Sequence, residues 1–199
     1  MTSTDRPANP IALFHAWYAE AVASELSGPD AASLATVGAD GSPSNRMVLV
    51  KRVSADGFEF HTNYRSRKGR DLGANPRAAL AYHWKSLGRA VRVEGVVSKL
   101  DASASDAYWA TRPAGSRLSA SASDQSEPIE SREALARKIA ETAQRAGERA
   151  VTRPEHWGGY CLVPVRIEFW THRDDRLHER VEFRRAAADR PWTRRILQP

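Results

Sequence analysis

The chain has 199 residues, 41% of them hydrophobic and 27% charged, which is ordinary for one globular domain spanning 1–199, with residues 1–8 a flexible N-terminal stretch. A net charge of +6 admits phosphorylated ligands, but no basic block of five or more occurs, so nucleic acid is not an expected partner. No apolar run approaches the ~20 residues of a bilayer span, the lone Cys161 excludes an internal disulfide and fits a reducing cytoplasm, and six scattered histidines show no metal-ligand spacing, so neither membrane nor metal is expected.

"NPIALFHAWYAEAVASELSG" reads as an amphipathic helix. Asn9 caps it, Pro10 suits its first turn, and Leu13, Phe14, Trp17, Ala21 and Leu26 recur at helical spacing before Gly28. Strand-like runs follow: "SLATV", "RMVLVKRV" and "FEFHT", separated by turns carrying Asp40-Gly41 and Asp56-Gly57. Those dipeptides are hairpin signals, so the pattern predicts an antiparallel meander. "NYRSRKGRDL" comes next, where Ser66 caps a short helix opening on Arg67 and Lys68. A helix N-terminus with two added cations suits a phosphate.

"AALAYHW" and "AVRVEGVVSKL" extend the sheet. A helix from Asp101 through "ASASDAYWATR" ends at Pro113 and sets Tyr108 and Arg112 on one face, with Ser116 just beyond; these groups can hold a second oxyanion. "SASASDQSEP" is a loop by composition and "SREALARKIAETAQRAG" a helix. "GYCLVPVRIEFWTH", "RLHERVEFRR" and "WTRRIL" close the chain as strands. Strict alternation along the second of these sets Arg176, His178 and Arg180 on one face. The fold class is mainly β: an antiparallel barrel with flanking helices. No Ser–His–Asp set, carboxylate pair or Walker-type loop is present, which turns the reading away from hydrolysis and nucleotide triphosphates.

"RMVLVK", "HTNYRSRKG", "AYWATRPAGS", "DQS", "HWGGY", "IEFW" and "RLHER", in that order, resemble the pyridoxamine 5'-phosphate oxidase family over nearly the whole chain. The resemblance implies an FMN-binding split β-barrel that works as a homodimer with flavin at the subunit interface. It implies flavin contacts at Arg46, Met47, Val48, Leu49, His61, Thr62, Arg67, Lys68, Gln125, Ser126, Trp170 and Arg180. Substrate contacts would be Lys51, Tyr108, Arg112 and Ser116 around a phosphate. Arg176 and His178 would lie over the pyridine ring, ordering the substrate rather than acting as general base. The implied reaction converts a phosphorylated B6 vitamer to pyridoxal 5'-phosphate with O2 as acceptor.

Three departures mark this chain. Ala90 stands where the family usually has a flavin-bonding glutamine, "LSASASDQS" replaces the usual loop, and Asp124 sits where a basic residue is common. A same-fold oxidase of a phenazine precursor and a non-catalytic flavin or pyridoxal-phosphate binder are the alternatives; Lys51 favours the phosphorylated substrate. Arg46 and Lys51, five apart on one strand, alternate to opposite faces, so one composite site needs a bulge, a twist or a second subunit.

Overall fold

The computed structural model describes residues 9–24, 28–147 and 150–199; the expected flexible stretch 1–8 and Leu26 lie outside them. Helix α1 (Pro10–Ser24) starts where its cap predicts, with the Asn9 side-chain oxygen accepting from Ile11 N at 2.9 Å. Its apolar stripe of Leu13, Phe14, Trp17 and Ala21 is buried. After Gly28, whose φ of 66° suits the left-handed turn there, the chain enters the sheet.

Among the described residues are eight strands: β1 (Ala31–Val37), β2 (Pro43–Ser54), β3 (Gly57–Asn63), β4 (Arg77–Trp84), β5 (Arg89–Lys99), β6 (Trp157–Thr171), β7 (Glu179–Arg184) and β8 (Thr193–Leu197). They run in the order β3-β2-β1-β4-β5-β6-β7-β8, every pairing antiparallel. A further β3–β6 pairing closes the first six into a barrel and leaves β7 and β8 as an extension. The 15-residue β6 is the hinge of this design: its first part pairs with β3, its last with β7, and most of its length with β5. Closure removes the free sheet edge that an open meander would expose. The expected antiparallel barrel with flanking helices is the observed fold.

Leu34, Phe58, Phe60, Leu80, Val91, Val93, Leu162, Ile167 and Phe169 fill the interior. Phe14 caps one end, its ring 5.1 Å from Phe58, 5.2 Å from Tyr82 and 5.9 Å from Trp84. Replacing it with alanine removes the contacts that dock α1. Phe14→Ala is expected to cost about 3–5 kcal/mol, read as a lowered urea midpoint with an unchanged slope.

The remaining helices are α2 (Arg67–Ala74), α3 (Ala102–Thr111), α4 (Ala114–Ala122) and α5 (Arg132–Ala146). Two expectations are corrected. "SASASDQSEP" is not all loop: residues 119–122 form the last turn of α4, because Pro113 can open a helix and Ala122 anchors its end in the core. "RLHERVEFRR" is strand only from Glu179. Arg176 adopts φ 66° in a turn where its N–H reaches the Arg173 carbonyl at 3.2 Å, which breaks the alternation. Arg176, His178 and Arg180 therefore do not share a strand face, and only Arg180 lies in β7.

On the outer face of β5 to β8, Glu168 and Glu182 are 2% and 0% exposed. Glu168 pairs with Arg92 and with Arg180, the latter at 2.8 Å; Glu182 pairs with Arg166 and with Arg195, the latter at 2.5 Å. Burial pushes both carboxyls up, but the hydrogen bonds and charges of these arginines outweigh it and hold them below the usual glutamate range. Among the described residues no helix is long and apolar enough to cross a membrane.

Candidate active site

The short helix expected after Ser66 is present. Ser66 caps the helix, its oxygen accepting from Gly69 N, and Arg67 occupies the first turn. Arg67 N donates to Ser126 Oγ at 3.2 Å, and Ser126 holds φ 79°, an unusual conformation for a residue with a side chain. Lys68 is only 6% exposed. Its ammonium donates to Thr62 Oγ1 at 3.2 Å, Ser66 Oγ at 3.2 Å and Gln125 Oε1 at 3.1 Å. Among the described residues no carboxylate pairs with it directly. Burial, with some repulsion from Arg46, brings its pKa down to about 8 against the opposing pull of Asp71. A buried ammonium ringed by neutral acceptors at a helix N-terminus fits an anion, above all a phosphate.

Arg46 joins this end of the site. Alternation on β2 turns its side chain away from Met47 and Leu49, and it is held by Thr36 Oγ1 at 2.6 Å, the Leu34 carbonyl at 3.3 Å, Ser44 Oγ and Asp71 at 3.5 Å. Its charge is felt by Lys68, and that of Arg67 by Arg46, so the three cations converge.

A second cationic group lies farther along the same cleft. The cleft, about 150 Å³, is lined by Met47, Val48, Leu49, Lys51, His61, Thr62, Lys68, Tyr108 and Gln125. All nine are among the residues singled out from the sequence. The two residues stay on different sides of β2: Arg46 turns toward Thr36 and Asp71, while Lys51 shares the Met47 and Leu49 face and leaves the ladder at a bulge between Val50 and Arg52. Arg112 stacks over Trp157 at 4.8 Å and donates to the Ser116 carbonyl at 3.1 Å.

His61 is the surprise of this group. The resemblance implies a flavin contact there; its ring lines the cleft, stacked on Tyr108 at 3.8 Å with Trp157 5.6 Å away. Both of its nitrogens are buried without a hydrogen-bond partner. Burial first, then the charges of Arg112 and Lys51, push its pKa down to about 4. A histidine lowered in the fold binds fewer protons folded than unfolded between about 4 and its usual 6.5, so its stabilisation is lost as pH falls through that window. Thermal melts at pH 7.5 and 5 are expected to drop more for the wild type than for His61→Phe.

Sequence reasoning missed the parts that hold these side chains. Trp157 runs parallel to Tyr108 at 4° and sits in the quoted "HWGGY", to which no role was given. The glycines of that motif were the signal. A Cβ on Gly158 would lie 2.1 Å from Tyr64 Oη, and one on Gly159 2.5 Å from Leu100 Cδ1 and 2.9 Å from His61 Nε2, so glycine leaves room for these side chains over β6. Asp71, Thr36 and Glu168, which position Arg46 and Arg180, lacked any local signature.

Trp170, His178 and Arg180 lie together where β6 meets β7, with Arg176 in the turn between the two strands. Trp170 lies 4.7 Å from His178 and pairs across the ladder with Arg180 on one side and Ala90 on the other. His178 Nδ1 accepts from Arg173 N at 3.1 Å. Along β6, Trp170 is twelve residues beyond Gly158, the partner of Thr62, which is roughly 40 Å of extended strand. One copy of the chain does not bring these four residues to the cleft.

Comparison with known proteins places the chain in a family. Residues 18–146 match the family model described as pyridoxamine 5'-phosphate oxidase, and residues 157–199 the model described as the pyridoxine 5'-phosphate oxidase C-terminal dimerisation region. A pyridoxine/pyridoxamine 5'-phosphate oxidase of Cupriavidus metallidurans is 51% identical over 192 residues, covering 96% of this chain and 90% of that protein. One from Nitrobacter winogradskyi is 52% identical over 190 residues, covering 96% and 89%. The crystal structure of PhzG from Burkholderia lata in complex with tetrahydrophenazine-1-carboxylic acid superposes with a TM-score of 0.90 at 34% identity, covering 98% of this chain and 95% of that one. With a barrel closed by β6, matches over both of its segments and relatives about half identical along nearly the whole chain, the chain belongs to the pyridoxamine 5'-phosphate oxidase family.

Proposed function

We propose that this chain is an FMN-dependent oxidase that converts pyridoxamine or pyridoxine 5'-phosphate to pyridoxal 5'-phosphate, with O2 as acceptor and H2O2 as product. The observation that carries this reading is that one cleft is lined by both Lys68, coupled to Arg46, and Lys51, which with Arg112 acts on His61, so cations are available for the cofactor's phosphate and for the substrate's. Lys68, Arg67 and Arg46 hold the first, with Gln125, Ser126 and Thr62 supplying hydrogen bonds. Lys51, Arg112, Tyr108 and Ser116 surround the second, and His61 stacks beneath Tyr108. Met47, Val48 and Leu49 form the wall between them.

FMN, when bound, supplies the two-electron oxidation and its return to the oxidised state by O2. The protein's part is to orient, exclude water and balance charge. The chain acts as a homodimer with the flavin at the subunit interface, and the second copy brings Trp170, Arg176, His178 and Arg180 to the cleft. Two features support this: the match of 157–199 to a dimerisation region, and the exposed Met47 and Leu49, 64% and 49% accessible beside the cleft. Arg176 and His178 then order the substrate ring, while Glu168 holds the Arg180 guanidinium ready for the cofactor. An amine substrate loses two electrons and a proton at C4' and is hydrolysed to aldehyde and ammonia; an alcohol gives the aldehyde directly.

The same-fold reading, oxidation of a phenazine precursor, has the PhzG likeness in its favour, but it gives no task to Lys51 and Arg112. The test is a visible flavin spectrum followed by peroxide release with pyridoxine 5'-phosphate and with unphosphorylated pyridoxine. Yellow protein and a strong preference for the phosphate are expected. Protein that takes up no FMN overturns the proposal, and a rate indifferent to the phosphate moves the assignment to the other reading.

A further inference from the structure

Lys51 stands on the boundary between two clefts. One is the candidate site; the other, about 270 Å³, lies beside α1 and is lined by Phe14, Tyr18, Val50 and Tyr82 among others. The Lys51 ammonium is held by the carboxylate of Asp30, at 2.6 Å. Asp30 is fixed by its own backbone. Gly28 turns the chain at φ 66°, Ala31 N closes that turn on the Gly28 carbonyl at 2.9 Å, and Val50 N donates to the Asp30 carbonyl at 2.9 Å. The carboxylate is thereby delivered to the bulge at which Lys51 leaves the β2–β3 ladder. The pair is 31% and 23% exposed, a position in which an ion pair is neither locked by burial nor dissolved by water.

We propose that Asp30 is a positioning residue that competes with the substrate's phosphate for Lys51. It docks the lysine at the boundary with the α1 cleft when no ligand phosphate is present and yields it when a phosphorylated ligand enters. The inference rests on the reading of Lys51 as a phosphate ligand. A phosphate dianion carries more charge and more acceptor oxygens than one carboxylate, so the exchange favours the ligand. Each exchange nonetheless breaks the Asp30 pair, which weakens binding of substrate and product alike and speeds product departure. The competition acts on phosphorylated ligands alone, which makes Asp30 a specificity-determining residue.

Asp30→Asn keeps the shape and the backbone hydrogen bond and removes the charge. It is expected to lower KM for the phosphorylated substrate, and the inhibition constant of the phosphorylated aldehyde product, by about two- to five-fold. KM for the unphosphorylated alcohol is expected to move less, and Asp30→Glu to stay near wild type. Lys51→Ala is expected to raise KM for the phosphorylated substrate and to abolish the effect of Asp30→Asn in the double variant. A merely structural role for Asp30 would shift both substrates together and overturn the inference. If Lys51→Ala raises KM but Asp30→Asn leaves it unchanged or raises it too, the inference is overturned while the reading of the site stands. If Lys51→Ala leaves the phosphate preference intact, that reading falls and takes this inference with it.

Discussion

Replacing Lys68 with methionine is expected to cost about 2–3 kcal/mol of FMN binding, roughly 30- to 150-fold in affinity, while leaving the cofactor-free fold as stable as the wild type or more so. The two halves of this prediction have one cause. Lys68 is a 6%-exposed ammonium with three neutral acceptors, so the free protein carries a desolvated charge that a ligand phosphate would compensate. Methionine fills the space of the lysine stem and needs no counter-charge. Titration of FMN fluorescence measures the first half and thermal melts without FMN the second.

The pH dependence follows from the same side chain. Phosphate binding requires the charged form, and the free protein holds Lys68 at about 8, so FMN affinity is expected to fall as pH rises above about 8. In the cofactor-free protein the sign reverses. The unfolded chain binds the proton more tightly between about 8 and 10.5, so this group's contribution to stability rises with pH there, and Lys68→Met removes that rise. Wild-type FMN affinity in Lys68→Met would place the phosphate elsewhere.

At an FMN concentration that fills the wild type but not Lys68→Met, two nearly inactive variants are expected to restore each other. Lys68 lies in the cleft and Arg176 in the turn beyond β6, at the far end of that strand. If each site takes Lys68 from one copy and Arg176 from the other, a mixed dimer of Lys68→Met and Arg176→Gly has one doubly damaged site and one intact site. Random mixing makes half of the dimers mixed, so about a quarter of the wild-type activity should return from two nearly silent parents. Glycine is chosen because it suits the φ of 66° at position 176. Recovery measured after co-refolding decides the matter: no gain over the parents would place both residues in one copy's site and overturn the shared arrangement.

The features most legible in the sequence were those set by neighbours a few residues apart. The Asn9 and Ser66 caps, the Asp-Gly turns and the period-2 runs each depend on local backbone geometry, and each appears where the residues indicate. The resemblance then grouped residues scattered over some 130 positions, and nine of them line one cleft. The misses share a physical reason. Alternation was carried through "RLHER", but the turn that returns the chain from β6 to β7 takes up Arg176 in a left-handed conformation, and no period describes a turn. The first four residues of the serine-rich segment are helical because α4, opened after Pro113, runs on to a buried Ala122 despite its polar composition.

By itself the sequence determined the antiparallel barrel class and the Ser66 cap that opens α2 on Arg67 and Lys68, because caps and turns act over short range, while its resemblance to a family supplied the cast of candidate side chains. Only the tertiary structure decided how that cast is divided. Closure of β3 on β6 brings His61 against both Tyr108 and Trp157, the bulge at Lys51 gives that lysine to Asp30, and the length of β6 separates Trp170 and Arg180 from the cleft. Those outcomes depend on strand register and on which faces meet across the barrel. Both are settled by contacts between residues far apart in the chain, which no local pattern encodes.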